Sequence, residues 1–174
     1  EPGRPWPMGV VPALFGGRAG INIAVAARHA TAVELCLYDE TGRHETDRIR
    51  LPSCTEGIWH GFVPGLGAGQ RYGLRAHGPW EHDAGHRFNP QRLLIDPWTR
   101  SLSGPLERLA NEIGHRASAP DQACAYDNAE RMPRCRVVDV QEELRRGAAI
   151  MPGPDTPLAR TVLYEAHVKA LTAL

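Results

Sequence analysis

GINIAVAARHATAVELCLYD, residues 20–39, reads as two β-strands joined by a turn. Ile21, Ile23 and Val25 alternate with Asn22 and Ala24, and Val33, Leu35 and Leu37 alternate with Glu34 and Cys36. A period of two puts each apolar trio on one face, the pattern of a strand packed on a core. ARHAT (27–31) supplies the turn between them, and Asp39-Glu40-Thr41-Gly42 supplies the next. HETDRIRL (44–51) follows as a more polar strand with one face toward water. IWHGFVPG (58–65) and QRYGLRAHG (70–78) complete the series, and the glycines at 65, 67 and 69 predict a hairpin loop between them. Strand starts recur about every 10–14 residues with no amphipathic helix between them, which predicts an all-β fold, an antiparallel β-sandwich.

Composition narrows the partners. Twenty basic residues balance 20 acidic ones, and Lys169 is the only lysine, so positive charge is scattered Arg. That disfavours nucleic acid and anionic membrane surfaces and permits a neutral partner. No apolar run approaches the roughly 20 residues that span a bilayer. EPGRPWPMGVVPALFGG (1–17) lacks the charged start and apolar core of a secretory signal. It has no initiator Met, and the 174 residues hold one full domain plus an incomplete second piece, so a fragment is expected. Cys36, Cys54, Cys124 and Cys135 match no Cys-x-x-Cys spacing. Reduced thiols, a cytoplasmic setting and no cofactor are the expectation, with Cys36 a small core residue.

RYGLRAHGPWEHDAGHRFNPQRLLIDPWTR (71–100) crowds aromatics, His and Arg around two X-Pro steps. FNPQRLLIDPWTR fits one short helical turn or a tight loop, because Pro97 pushes Asp96 out of helical geometry. From 101 to about 135 the chain is polar and aperiodic, an extended connector across something larger. VQEELRRG (140–147) suits two helical turns stopped by Gly147, and MPGPDTP (151–157) is a linker. TVLYEAHVKALTAL (161–174) regains strand character, and its apolar start suits a strand buried on both faces, as in a parallel sheet or barrel.

GINIAVAARHATAVELCLYD (20–39), IWHGFVPGLGAGQRYGLRAHGPW (58–80), GHRFNPQRLLIDPWTR (85–100), RMPRCRVVD (131–139) and TVLYEAHVKALT (161–172) occur in one order along nearly the whole chain. In this the chain resembles the start of bacterial glycogen debranching enzymes of the isoamylase type, in the α-amylase superfamily. The resemblance implies an immunoglobulin-like carbohydrate-binding module over 1–100, a connector over 101–160, and the first strand of an incomplete (β/α)8 barrel over 161–174. It implies a parent enzyme that hydrolyses α-1,6 branch linkages in glycogen or limit dextrin. Its partners would be glycogen or another α-glucan and the missing catalytic barrel. The alternatives are a purely structural β-sandwich brace that binds no sugar, or the same module from a related isoamylase or trehalose-producing hydrolase. The family's catalytic carboxylates lie on later barrel strands, so none is assigned here and this chain is expected to be inactive. The chain departs from the family at Ala170, usually Gly, and at QEELRRGAAIMPGPDTPLA (141–159), where an acidic, Trp-containing stretch is usual.

Trp59, Tyr72, Trp80 and Trp98 are the candidate carbohydrate-binding residues, since a flat aromatic wall covers the C–H face of a sugar ring. A sandwich core also needs large aromatics, and Trp59 and Tyr72 fit that role. Trp80 is either an open platform or a seal, and Trp98 suits the domain boundary. Glu81 and Asp83 are the nearest acidic grouping but lack an apolar run to tune a pKa. His77, His82 and His86 have loop spacing without a joining Cys, and bracing is the simpler role for them. Arg75, Arg87 and Arg92 bond sugar hydroxyls or tie the connector to Asp96 or to backbone carbonyls, the latter being the simpler reading. Glu165 and His167 read as supports inside a barrel.

Overall fold

The computed structural model describes residues 1–104, 114–116, 118–147 and 155–167. Seven strands open the chain: β1 (Gly9–Phe15), β2 (Arg18–Ala26), β3 (Ala32–Tyr38), β4 (Glu45–Arg50), β5 (Ser53–Thr55), β6 (Ile58–Pro64) and β7 (Arg71–His77). Short pairs follow: β8 (Trp80–Glu81) with β9 (His86–Arg87), then β10 (Leu102–Ser103), β11 (His115–Arg116), β12 (Ala119–Ala123) and β13 (Arg134–Arg136). Helix α1 spans Val140–Arg146. Among the described residues one sheet runs β1-β2-β6-β5 and a second runs β10-β13-β7-β3-β4, with antiparallel pairing throughout.

The alternation of residues 20–39 places the core. Ile21, Ile23 and Val25 of β2 meet Val33, Leu35 and Leu37 of β3 and Tyr72 and Leu74 of β7 in one cluster. β1 carries no expectation from the pattern, yet it pairs with β2 along its whole length. The two-residue loop Gly16-Gly17 makes this possible, with φ of 56° and 77°, the left-handed pair that a tight hairpin needs. Asp39 ties the β3–β4 hairpin by accepting from the Thr41 hydroxyl at 2.9 Å and the Arg43 N–H at 3.0 Å.

The expected hairpin at residues 65–69 is corrected. β6 belongs to the first sheet and β7 to the second, so the glycine-rich loop carries the chain from one sheet to the other. β6 is already flanked by β2 and β5, which leaves no edge for β7. Turn residues specify that the chain bends, not which strand receives it.

The sandwich also runs past residue 100, where the sequence placed its end. β13 pairs with β7 through Cys135–Tyr72 and Arg136–Arg71, and β10 adds to β13. Cys135 and Val137 enter the core. Where β13 stops, Leu94 takes its place beside Leu74, exchanging two backbone bonds of 3.0 and 2.8 Å. The FNPQRLLIDP segment is therefore a tight loop that ends as a sheet edge.

A second layer covers the outer face of the second sheet. Cys36, Tyr38 and Leu93 pack there with Ala129 and Met132, so β3 is buried on both sides. Gly73 admits this layer, because a Cβ at that position would stand 2.6 Å from Leu93 Cδ1.

α1 forms where the sequence suggested helical turns. Asp139 caps it, its Oδ1 accepting from the Glu142 N–H at 3.1 Å. Gly147 ends it with φ of −72°, so the stop is not the left-handed kind. Over Thr161–His167 no strand is seen, and Val162, Leu163 and Tyr164 face solvent. A strand has no ladder without a paired neighbour, and this segment pairs with none of the described strands. The rest of the expected barrel strand, 168–174 with Ala170, lies outside the described residues, as does 151–154 of the expected linker.

Candidate functional site

The four aromatic candidates separate according to what their polar atoms and ring faces touch. Tyr72 is 1% exposed, and its hydroxyl donates to Asp96 Oδ2 at 2.7 Å. Burial, with the Asp96 charge second, raises its pKa far above the ordinary phenol value. Tyr72 offers no ring face to a ligand, which removes it from the sugar-facing set. Trp59 packs against the core from β6, and its indole N–H donates to Ala27 O at 3.1 Å. Trp80 donates its N–H to Asp121 O at 2.7 Å, and β8 lies against β12. Trp80 is thus a seal against the β11–β12 pair more than a free platform.

Trp98 differs from these three. It is 56% exposed, and its indole N–H has no partner among the described residues. Its backbone is fixed, since the Trp98 N–H donates to Asp96 Oδ1 at 2.8 Å, the same carboxylate that holds Tyr72. Gly9 lies against its Cβ on the other side. The buried Asp96 therefore joins the core to the exposed indole. It is 1% exposed with both oxygens engaged, as a buried carboxylate must be.

Beside this edge a cleft of about 1010 Å³ opens between the β2–β3 turn and the 85–97 segment. Its walls are apolar, from Val25, Ala27, Leu94 and Pro97, with Trp80 at one end. His29, His86, Arg87 and His115 supply polar groups, the first two in a tilted ring contact with centroids 4.6 Å apart. Apolar walls with a few fixed polar groups suit a small neutral ligand.

The remaining candidates are structural. Arg75 donates to Pro90 O at 2.7 Å and to both oxygens of Asp127, so it ties the connector down through a carboxylate other than Asp96 and the 88–96 segment through a carbonyl. Arg87 reaches His82 at 3.0 Å, and Arg92 is buried. His77 pairs with Glu34 at 3.1 Å, so the three histidines go to three different partners. No group of three or more His, Cys, Asp or Glu converges among the described residues. Glu81 and Asp83 stand in solvent, and Glu165 and His167 are exposed on the unpaired segment. All four cysteines are free thiols.

Sequence reading passed over Trp6, which is 67% exposed. The signal was present: Pro5 and Pro7 flank it and keep it out of any ladder.

The model of the family described as carbohydrate-binding module 48 (isoamylase N-terminal domain) matches residues 7–99. Glycogen debranching enzymes of Serratia proteamaculans and Klebsiella pneumoniae subsp. pneumoniae are each 42% identical, over 98% and 99% of this chain and 24% of those proteins. The chain thus spans about a quarter of the length of these curated relatives. Among solved structures, pullulanase SAP of group B Streptococcus in complex with maltotetraose aligns with a TM-score of 0.51. That alignment has 14% identity and covers 77% of this chain and 14% of the other, a likeness of fold.

Proposed function

This chain belongs to the carbohydrate-binding module 48 family, and from that premise we propose that it is the glucan-associated, barrel-positioning part of a glycogen debranching enzyme. The parent protein hydrolyses α-1,6 branch linkages, and the catalytic carboxylates are not in these residues. Residues 161–174 are the barrel's first strand, which acquires its ladder only beside the neighbouring strands.

The exposed Trp98 indole carries the binding part of this reading. Asp96 fixes the Trp98 backbone, and the 56%-exposed indole it carries presents a face on which a sugar ring stacks. The balanced charge of the chain suits an uncharged polyol. Trp80 forms the end wall of the adjoining cleft, and Trp59 and Tyr72 support the scaffold.

Affinity electrophoresis of the 174-residue chain through glycogen tests it. The chain is retarded, and W98A migrates faster in glycogen while its mobility without glycogen is unchanged. Unretarded wild-type chain would end the binding claim and leave a purely structural brace. That second reading draws on Trp59 and Trp80, whose N–H groups are both spent on the chain's own carbonyls.

A further inference from the structure

A separate groove lies on the outer face of the first sheet. Strand register sets Val11, Asn22 and Phe62 side by side there, with Phe15 stacked 5.5 Å from Phe62. The segment Glu1–Pro7 crosses this face as a strap. It is pinned by Arg4 N–H to Asn22 Oδ1 at 2.7 Å, Asn22 Nδ2 to Arg4 O at 2.9 Å, and His60 Nδ1 to Pro2 O at 2.7 Å. Asn22 and His60 are buried, so the strap is anchored by specific side chains and does not merely rest on the sheet. Between strap and α1 remains a groove of about 590 Å³, within the roughly 300–1,000 Å³ typical of small-ligand sites.

Trp6 stands in its wall, with no partner for its indole N–H among the described residues. Phe15 and Leu14 continue the apolar surface, and Leu14 is also exposed. The rim is polar and charge-balanced. Arg4 lies over the Phe15 ring at 5.8 Å and is offset by Asp139, Gln141 lines the groove, and Arg145 is paired with Glu142 at 3.2 Å. An exposed indole on a pinned strap, an apolar floor and a rim without net charge match a neutral polyol that presents C–H faces and hydroxyls together.

We propose that this groove is a second contact site for a linear α-1,4-glucan chain, centred on Trp6 and separate from Trp98. This rests on the glucan-binding reading above, and the two are tested apart. The 174-residue chain is titrated with maltoheptaose by calorimetry, while the indole N–H resonances are followed by NMR. W6A weakens affinity about 3- to 10-fold, the scale of one lost ring contact, and W6F keeps most of it. The Trp6 resonance shifts with sugar, whereas those of Trp59 and Trp80 stay in place. Circular dichroism and Tm of W6A match the wild type, since the ring is not in the core.

W6A with wild-type affinity and an unmoved Trp6 resonance would overturn the second site, while W98A still weakened would leave the first reading intact. A chain that binds no maltoheptaose overturns both. A Trp6 resonance that responds to protein concentration and not to sugar assigns the groove to a second copy of the chain and also overturns the proposal.

Discussion

Arg75, 1% exposed in the middle of β7, holds Asp127 through both carboxylate oxygens, at 2.8 and 3.0 Å, across 52 residues of sequence. The same guanidinium donates to Pro90 O. One buried cation thereby fastens both the 88–96 segment and the connector to the outer face of the second sheet. Asp127 is about half exposed, so the two partners are not equivalent. Asp127→Asn leaves the buried Arg75 cation without its counter-charge and destabilises by about 3 kcal/mol, the scale for breaking a buried pair. Arg75→Met leaves a half-exposed carboxylate that water solvates and an unpaired Pro90 carbonyl, and loses about 1 kcal/mol. Urea unfolding measures both, and equal losses would contradict this division.

Gly73 and Leu93 give a second test. A Cβ on residue 73 would meet Leu93 Cδ1 at 2.6 Å. Gly73→Ala lifts the 88–96 segment and costs about 1–3 kcal/mol, the scale of overpacking. Leu93→Ala added to it relieves the clash. The double variant is then less destabilised than the two single losses added together, and simple additivity in thermal unfolding would refute the contact.

Alkaline conditions loosen the same layer. Burial first, then the Glu45 charge, pushes the Cys36 thiol up to about 11 from 9.0. Burial also pushes the Tyr38 phenol up to about 12 from 10.0. Both groups are neutral when protonated. Above pH 9.0 the unfolded chain releases the Cys36 proton while the folded chain keeps it, so the folded state binds more protons. Stability is fully present below that pH and falls as pH rises toward 11. Tm measured from about pH 8 to about pH 11 declines, and Cys36→Ala declines less. A flat wild-type profile would be inconsistent with the buried thiol.

The Tyr72–Asp96 bond separates scaffold from site. Tyr72→Phe leaves Asp96 Oδ2 buried without its donor, at a cost of about 1–3 kcal/mol. Retardation in glycogen gels stays as in wild type once the variant is folded, because the ring never reaches the surface. Lost retardation in a fully folded Tyr72→Phe would mean that Asp96 relays to Trp98 more than position.

Much of the sandwich was legible in residues 20–77. Side-chain alternation is a local property, fixed by the period of two, and so is the turn at Asp39–Gly42. The sequence by itself therefore determined which faces of β2, β3 and β7 meet in the core. Through its motifs it also determined the family. Sheet membership was not legible, because the same glycine-rich loop serves a hairpin or a passage between sheets, and open edges decide between them. Nor was the burial of β3 on both faces, which depends on Leu93 and Met132, some 60 to 100 residues downstream. The aromatic set divided for the same reason. The core roles of Trp59 and Tyr72 were legible from their strands, but only tertiary structure spent the Trp80 indole N–H on Asp121 O and left Trp98 and Trp6 open. Local pattern sets which way a side chain points, and distant chain decides whether anything covers it.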